Sequence, residues 1–131
     1  ELPWEQPVLF FLGEFAGEAE KVCPRGLLRR VLERGRGMGY ELFAGFEYEF
    51  FVFDETPESV RAKGFRDLKP IAPDFFGYSV IRNSVWAELY REFLDSFGRM
   101  DITIEGLHEE TGPGVMEAAI AADDGLAAAD K

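Results

Sequence analysis

Glutamates cluster in two short stretches of this chain, and the spacing of each stretch suits the binding of a cation. Glu47 and Glu49 lie two residues apart in an aromatic segment, so on a strand both project from one face. No Lys or Arg separates them, and two carboxylates this close repel each other unless one takes up a proton. A divalent cation with oxygen ligands removes this conflict. The alternative is an exposed sheet face with scattered phenylalanines.

The second stretch, Leu107–Glu117, reads LHEETGPGVME. Glu110 leaves one predicted strand and Glu117 lies on the next. The Gly-Pro-Gly turn between them can bring both onto one face of a hairpin. The alternative is two surface glutamates near a turn. His108, taken alone, is more often a hydrogen-bonded histidine than a metal ligand.

The elements that must position these residues follow from periodicity and from helix and turn signals. We predict strands at Pro7–Phe15, at Tyr40–Phe53 with a bulge or bend at Gly45, at Ile102–His108 and at Val115–Ile120. We predict one helix from Pro24 that stops at Gly35, Gly37 and Gly39, a second from an Asn83 cap to about Met100, and a last helix capped by Asp123 or Asp124. Between them we predict a long loop at Asp54–Ser79 and a turn at Thr111–Gly114. Phe46, Tyr48, Phe50 and Val52 face away from the glutamates and suit a core. Two strands joined by a short turn form an antiparallel pair, so the predicted class is α+β with a mainly antiparallel sheet.

Composition narrows the classes of function. The chain has 131 residues, enough for one compact domain, and a net charge of −11 that argues against a nucleic-acid surface. It contains no apolar run of the ~20 residues that a membrane span needs, and no signal peptide is recognisable. Cys23 is the only cysteine, which excludes an intrachain disulfide and a thiolate zinc cluster. We expect a cytoplasmic protein. Because Glu1 is not an initiator methionine and the last helix runs into the terminus, we also expect a piece of a longer protein.

Two motifs together resemble the glutamine synthetase family. They are GFEYEFFVFD at Gly45–Asp54 and IEGLHEETGPGVME at Ile104–Glu117, and the Cys23-Pro-Arg-Gly26 helix entry comes in the family's order. The resemblance implies that residues 1–131 are part of the catalytic domain, without the small N-terminal domain and the later part of the catalytic domain.

The resemblance also implies the chemistry. In the family, a funnel-shaped site with two divalent metals, Mg²⁺ or Mn²⁺, joins an amine to the side-chain carboxylate of glutamate at the expense of ATP. By resemblance, Glu49, Glu110 and Glu117 would hold the metal next to glutamate, and Glu47 would be one ligand of the metal that serves the ATP phosphates. None of these residues need be a nucleophile, because the carboxylate of the substrate attacks phosphorus. Nucleotide-binding positions fall outside the matching motifs, and family members form ring-shaped homo-oligomers.

The chain departs from the family beside these residues. It reads His108-Glu109-Glu110 where many members have His-His-Glu, and Gly114-Val115-Met116-Glu117 where they have Gly-Gln-x-Glu. The changed neighbours leave the amine open among ammonia, methylamine, putrescine and other polyamines. The alternatives to an enzyme are an inactive structural relative and an acidic α+β binding domain with a chance resemblance.

Overall fold

The structure is a computed structural model that describes residues 8–72, 74 and 77–131. A 3₁₀ helix at Gly17–Val22 precedes the regular elements. The helices are α1 Pro24–Gly37, α2 Pro57–Ala62, α3 Val80–Val85, α4 Ala87–Arg99 and α5 Gly125–Asp130. The strands are β1 Phe43–Ala44, β2 Glu47–Phe51, β3 Ile104–Glu109, β4 Val115–Ile120 and β5 Asp123–Asp124. Helices and antiparallel strands together confirm the predicted α+β class. None of the helices in the described ranges has the length and apolar character needed to cross a bilayer.

The chain divides into two compact units. The first comprises Glu1–Phe46, Ser96–Thr103 and Ile120–Lys131, and the second comprises Glu47–Asp95 and Ile104–Ala119.

The first unit is built around α1 and the end of the chain. Pro24 takes the first helical position, where a missing N–H costs nothing, and the Cys23 sulfur accepts the Gly26 N–H at 3.4 Å. β1 pairs antiparallel with β5, and Asp124 caps α5 by accepting the N–H groups of Leu126 and Ala127. The predicted stop of α1 at its glycines and the predicted Asp cap of the last helix are therefore confirmed.

A group of four charged side chains, the arginine cluster, joins elements of the first unit. Arg25 donates to both carboxylate oxygens of Asp130, at 2.8 and 2.7 Å, and also to Glu14. Arg29 donates to the other oxygen of Glu14 at 2.5 Å. The cluster ties α1 to α5 and to the segment that precedes the 3₁₀ helix.

The second unit contains a three-stranded antiparallel sheet in the order β2-β4-β3. The central strand β4 is almost entirely buried, and Met116 is its most enclosed side chain. Phe50, the strand partner of Met116, meets Phe93 of α4 edge-on with ring centroids 5.5 Å apart. The core of this unit therefore lies between that sheet face and α4, on the side away from Glu49 and Glu117.

The turn that joins β3 and β4 requires a glycine at its end. Gly114 has a φ of +72°, and a Cβ there would lie 2.8 Å from the Val52 carbonyl oxygen. Its own carbonyl accepts the Val52 N–H at 2.8 Å. The predicted turn at Thr111–Gly114 and the strand Val115–Ile120 are both confirmed, and this close contact sets where β4 begins relative to β2.

Several predicted elements are wrong in detail. Residues 8–15 of the predicted strand Pro7–Phe15 form no strand, and Pro7 lies outside the described residues. The predicted strand Tyr40–Phe53 is divided into β1 and β2, and the interruption falls at Gly45, the position predicted to bend, where a Cβ would lie 2.9 Å from the Ile120 carbonyl oxygen. The predicted strand at Ile102–His108 is shifted to Ile104–Glu109.

The helical predictions also need three corrections. The loop Asp54–Ser79 contains α2, because Thr56 and Ser59 form a capping box around Pro57. Ser79, rather than Asn83, caps the next helix, and that helix divides at Trp86 where the backbone leaves the helical region.

The predicted core face of β2 is only partly correct. Phe46 and Tyr48 are 40% and 44% exposed, whereas Phe50 is half-buried beneath α4.

Candidate metal centre

Strand register brings the acidic residues of β2 and β4 to one sheet face. Glu49 is the direct antiparallel partner of Glu117, and Glu47 is the partner of Ala119. Because residues two apart on a strand share a face, Glu47, Glu49 and Glu117 project to the same side. Directly opposed like charges destabilise a sheet unless something compensates them.

The hairpin adds residues of β3 and its turn to the same face. The Glu110 N–H donates to the Val115 carbonyl at 2.9 Å, and a Cβ on Gly106 would meet the Ala119 methyl at 3.7 Å. This register places His108 beside Glu117, on the side of β4 opposite to Glu49. The three strands therefore present Glu49, Glu117 and His108 in one row.

His108, Glu110 and Glu117 form the tightest group, which we call the acidic cluster. One ligand atom of each lies within 4.8 Å of the other two. The His108 Nε2 lies 3.2 Å from a Glu110 oxygen and 3.8 Å from a Glu117 oxygen. Two ligands across one small cation are separated by about 4 Å, so small side-chain adjustments would let all three reach one ion.

The electrostatics of the acidic cluster differ between its two carboxyls. A hydrogen bond from the Tyr78 hydroxyl holds the pKa of Glu110 below its usual value, with a second contribution from the Thr111 N–H. Burial raises the pKa of Glu117, and the charge of Glu47 raises it further. Hydrogen bonding therefore favours the ionised form of Glu110, whereas burial disfavours the ionised form of Glu117.

The donor set fits a divalent cation. Within the described ranges, no Lys or Arg forms an ion pair with Glu47, Glu49, Glu110 or Glu117. Carboxylates with a single imidazole are the ligands of Mg²⁺ and Mn²⁺ rather than of metals that prefer thiolates. A cation here would neutralise a buried carboxylate, Glu117, that no described Lys or Arg neutralises.

Comparison with known proteins supports the resemblance noted in the sequence. The family model "Glutamine synthetase, catalytic domain" matches residues 21–131. The chain belongs to the glutamine synthetase family.

Similar proteins include both glutamine synthetases and ligases for other amines. The chain is 37% identical to type-1 glutamine synthetase 2 of Dictyostelium discoideum over 99% of its length. It is 30% identical to a glutamate–isopropylamine ligase of a Pseudomonas species over 98%, and 32% identical to a gamma-glutamylethanolamide synthetase of Streptomyces coelicolor over 99%. It spans only 25%, 29% and 29% of these three relatives.

The glutamates singled out in the sequence have different positions in this family fold. Glu110 and Glu117 lie together in the acidic cluster. Glu49 lies next to Glu117 across the strands, but it is exposed and outside the 4.8 Å group. Glu47 lies one strand pair further on, and its charge still acts on Glu117. The four glutamates share one sheet face, and their role as metal ligands remains a prediction.

Tyr78 is the residue that the sequence analysis missed. Its hydroxyl donates to a Glu110 oxygen at 2.8 Å, and its ring centroid lies 5.5 Å from that of His108. Its φ of +65° is rare for a residue with a bulky side chain, and such strain is common at functional sites. The only signal in the sequence was the length of the loop Asp54–Ser79, since long loops in compact domains are often functional.

Proposed function

We propose that this chain supplies the metal-holding sheet face of a ligase that joins an amine to the side-chain carboxylate of glutamate, driven by ATP. The acidic cluster carries this proposal. Glu110 and Glu117 come together from the two strands of a hairpin, next to Glu49, on a face where no described Lys or Arg neutralises them. Membership of the glutamine synthetase family supports the class of reaction.

The four glutamates and Tyr78 have separate roles in this proposal. Glu49, Glu110 and Glu117 would hold one Mg²⁺ or Mn²⁺, and Glu47 would contribute to a second. A divalent ion bound there would neutralise phosphate charge during phosphoryl transfer. The Tyr78 hydroxyl donates a hydrogen bond to Glu110, which fixes the orientation of this carboxylate and favours its ionised form.

The proposed course of reaction needs no protein nucleophile. The side-chain carboxylate of glutamate attacks the terminal phosphorus of ATP, ADP leaves, and the amine then displaces phosphate from the γ-glutamyl phosphate. Relatives named for isopropylamine and ethanolamide products leave the acceptor open between ammonia and a small organic amine. Of the two changed neighbours, Val115 shares the sheet face of Glu117, so we expect it to influence which amine is accepted, whereas Glu109 is buried on the opposite face.

We further propose that residues 1–131 are a partial catalytic domain of a cytoplasmic homo-oligomer. The chain spans about a quarter of its relatives' length, and its single cysteine, Cys23, is consistent with a reducing compartment. Under this proposal the 131-residue chain binds metal but does not complete the reaction. Steady ADP release from the purified chain with ATP, glutamate and an amine would contradict it.

Titration of Mn²⁺ into the purified chain tests the site directly. We expect saturable binding that Glu49→Ala, Glu110→Ala and Glu117→Ala each weaken, with Glu105→Ala as the control because Glu105 is exposed on the same strand as the cluster histidine. An inactive structural relative or a chance acidic domain predicts no such site. In the whole protein, ADP release with a panel of amines would then identify the acceptor.

A further inference from the structure

The arginines at the two ends of α1 differ in how they are neutralised. Arg25 and Arg29, near its beginning, pair with the carboxylates of the arginine cluster. Arg34 and Arg36, in its last turn, are exposed, and neither forms an ion pair with a residue that the structure describes. The end of α1 therefore presents two positive charges to solvent, on a chain whose net charge is −11.

α1 also carries an apolar stripe on its solvent side. Leu28 is half-buried and Leu32 is buried, whereas Leu27 and Val31 each expose more than half of their surface. Leu27, Val31 and Arg34 follow the spacing i, i+4 and i+7, so they share one face of the helix. A helix that binds another helix in a groove uses side chains at this spacing.

An apolar cavity of about 360 Å³ has Val31 in its wall. Leu42 and Phe43, which follow α1 in the chain, also line it and expose more than half of their surface. Gly35 and Arg36 complete the part of the lining that belongs to α1, and every lining residue belongs to the first unit. At roughly 30 Å³ per water-sized group, the cavity has room for about 12 non-hydrogen atoms, which is the size of about three leucine side chains.

Charge and shape select among the possible occupants of this cavity. A small anion would pair with Arg36 but leave the stripe of Leu27 and Val31 exposed. A flat bilayer does not fill a concave site, and an extended anionic surface is repelled by a chain with a net charge of −11. A short acidic segment avoids most of this repulsion, because charges more than about 8–10 Å away are screened at physiological salt and the nearby arginines dominate.

We propose that the groove formed by α1 and Leu42–Phe43 binds an acidic amphipathic helix of a partner protein. Apolar side chains of the partner fill the cavity, and its carboxylates pair with Arg34 and Arg36. Asp124 also lines the groove, but its carboxylate caps α5. Glu41 lines the groove as well and lowers the affinity for an acidic partner. None of these residues belongs to the acidic cluster, so partner binding does not depend on the proposed ligase reaction.

Fluorescence anisotropy with a labelled synthetic helix tests this proposal. The probe is a peptide of about 20 residues made of glutamate, alanine and leucine, which favour helix, with leucines at the spacing i, i+4 and i+7. We expect saturable binding to the 131-residue chain that weakens as salt increases. A peptide with lysine in place of every glutamate should bind at least about tenfold more weakly. No saturable binding, or equal binding of the lysine peptide, would overturn the proposal.

Variants of the chain locate the peptide. Gly35→Leu fills the groove, and it should fold because a Cβ there would meet the Tyr40 carbonyl oxygen only at 3.9 Å and leucine favours helix. Arg34→Glu reverses a charge on the exposed stripe. We expect each variant to weaken peptide binding at least about tenfold, Glu41→Gln to strengthen it, and Arg66→Glu, at an exposed site in the second unit, to leave it within about twofold. Unchanged affinity in a folded Gly35→Leu or Arg34→Glu chain would contradict the proposal.

Two further measurements separate this partner from other occupants of the groove. Vesicles of phosphatidylglycerol that bind the chain and displace the peptide would assign the groove to a membrane surface. Self-association in sedimentation velocity that Gly35→Leu abolishes, without any binding of the peptide, would assign it to a second copy of the chain. Either result would overturn the assignment to an acidic partner helix.

Discussion

Two groups of carboxylates in this chain have different neighbours. In the first unit, Glu14 and Asp130 pair with the arginines of the arginine cluster. In the second unit, Glu110 and Glu117 lie close to each other and to His108. The arginines lower the pKa of both carboxyls in the first group. In the second group burial raises the pKa of Glu117, and the Tyr78 hydroxyl, rather than an arginine, lowers the pKa of Glu110. The arginine cluster satisfies its charges within the chain, while among the residues that the structure describes no Lys or Arg pairs with the acidic cluster.

We expect this difference to separate a structural role of the carboxylates in the arginine cluster from a metal-binding role of those in the acidic cluster. Ion pairs between arginine and carboxylate join parts of a fold, and their loss affects stability. Carboxylates gathered without a cationic side chain repel each other until a cation binds. If the roles are separate, substitutions in the arginine cluster should change stability, and substitutions in the acidic cluster should change metal affinity.

The largest effect is expected for Glu110→Ala. The substitution removes a proposed ligand together with the acceptor of the Tyr78 hydrogen bond, so Mn²⁺ affinity should fall by about 100-fold or more. Isothermal calorimetry measures this, and Glu105→Ala is the matched control. A fall of less than threefold would remove Glu110 from the ligand set.

For Arg25→Ala we expect a loss of stability and little change in Mn²⁺ affinity. Loss of this arginine leaves Glu14 and Asp130 without the hydrogen bonds that it donates, so the urea midpoint should decrease clearly while Mn²⁺ affinity stays within twofold. Arg30→Ala, an exposed site on the same helix, should leave both quantities nearly unchanged. A large loss of Mn²⁺ affinity in folded Arg25→Ala would show that the two roles are not separate.

A smaller change in metal affinity is expected for Tyr78→Phe. Without the hydroxyl, the pKa of Glu110 rises and the carboxylate loses its orientation, so Mn²⁺ affinity should fall about tenfold. Because protons compete with Mn²⁺ for Glu110, the pH midpoint of binding should also move upward. Titrations at a series of pH values measure both quantities, with Tyr40→Phe at an exposed position as the control. An unchanged midpoint would contradict a role for Tyr78 in setting the ionisation of Glu110.

The smallest effect is expected for the stability contribution of Glu55, which lies in the loop that also carries Tyr78. Lys63, Ser59 and the Lys69 N–H lower the pKa of Glu55 to about 2. A lowered folded-state pKa stabilises the fold above the unfolded value of about 4.3, and this contribution is lost as pH falls toward the folded value. Glu55→Gln should therefore be less stable than the unchanged chain at neutral pH, and the difference should shrink below about pH 4. Urea melts at both pH values check this, with exposed Glu58→Gln as the control. A difference that grows in acid would contradict the assignment.

The hairpin was predictable because its signals are local. Gly112 and Gly114 specify the turn, and a short, mostly apolar segment follows them as the return strand β4, so the approach of Glu110 to Glu117 followed from sequence. The role of Tyr78 was not predictable, because it depends on where a long loop returns to the sheet. The division of the helix at Trp86 was missed for a related reason, since the apolar stripe continues through it and only the backbone geometry changes.

The exposure of Phe46 and Tyr48 was also beyond a sequence pattern. Alternation predicts which face a side chain takes, but it does not predict whether another element covers that face. The acidic face was easier to recognise because repulsion between carboxylates is a property of the residues themselves.

Mn²⁺ titration of the chain beside its Glu117→Gln variant tests the central claim most directly. Glu117 lies between Glu49 and His108 on the central strand, and it is buried, so one isosteric change removes a charge from the middle of the proposed site. We predict saturable binding to the unchanged chain and a loss of at least about tenfold in the variant, with the fold intact by circular dichroism. Equal Mn²⁺ affinity in the two folded chains would contradict the account.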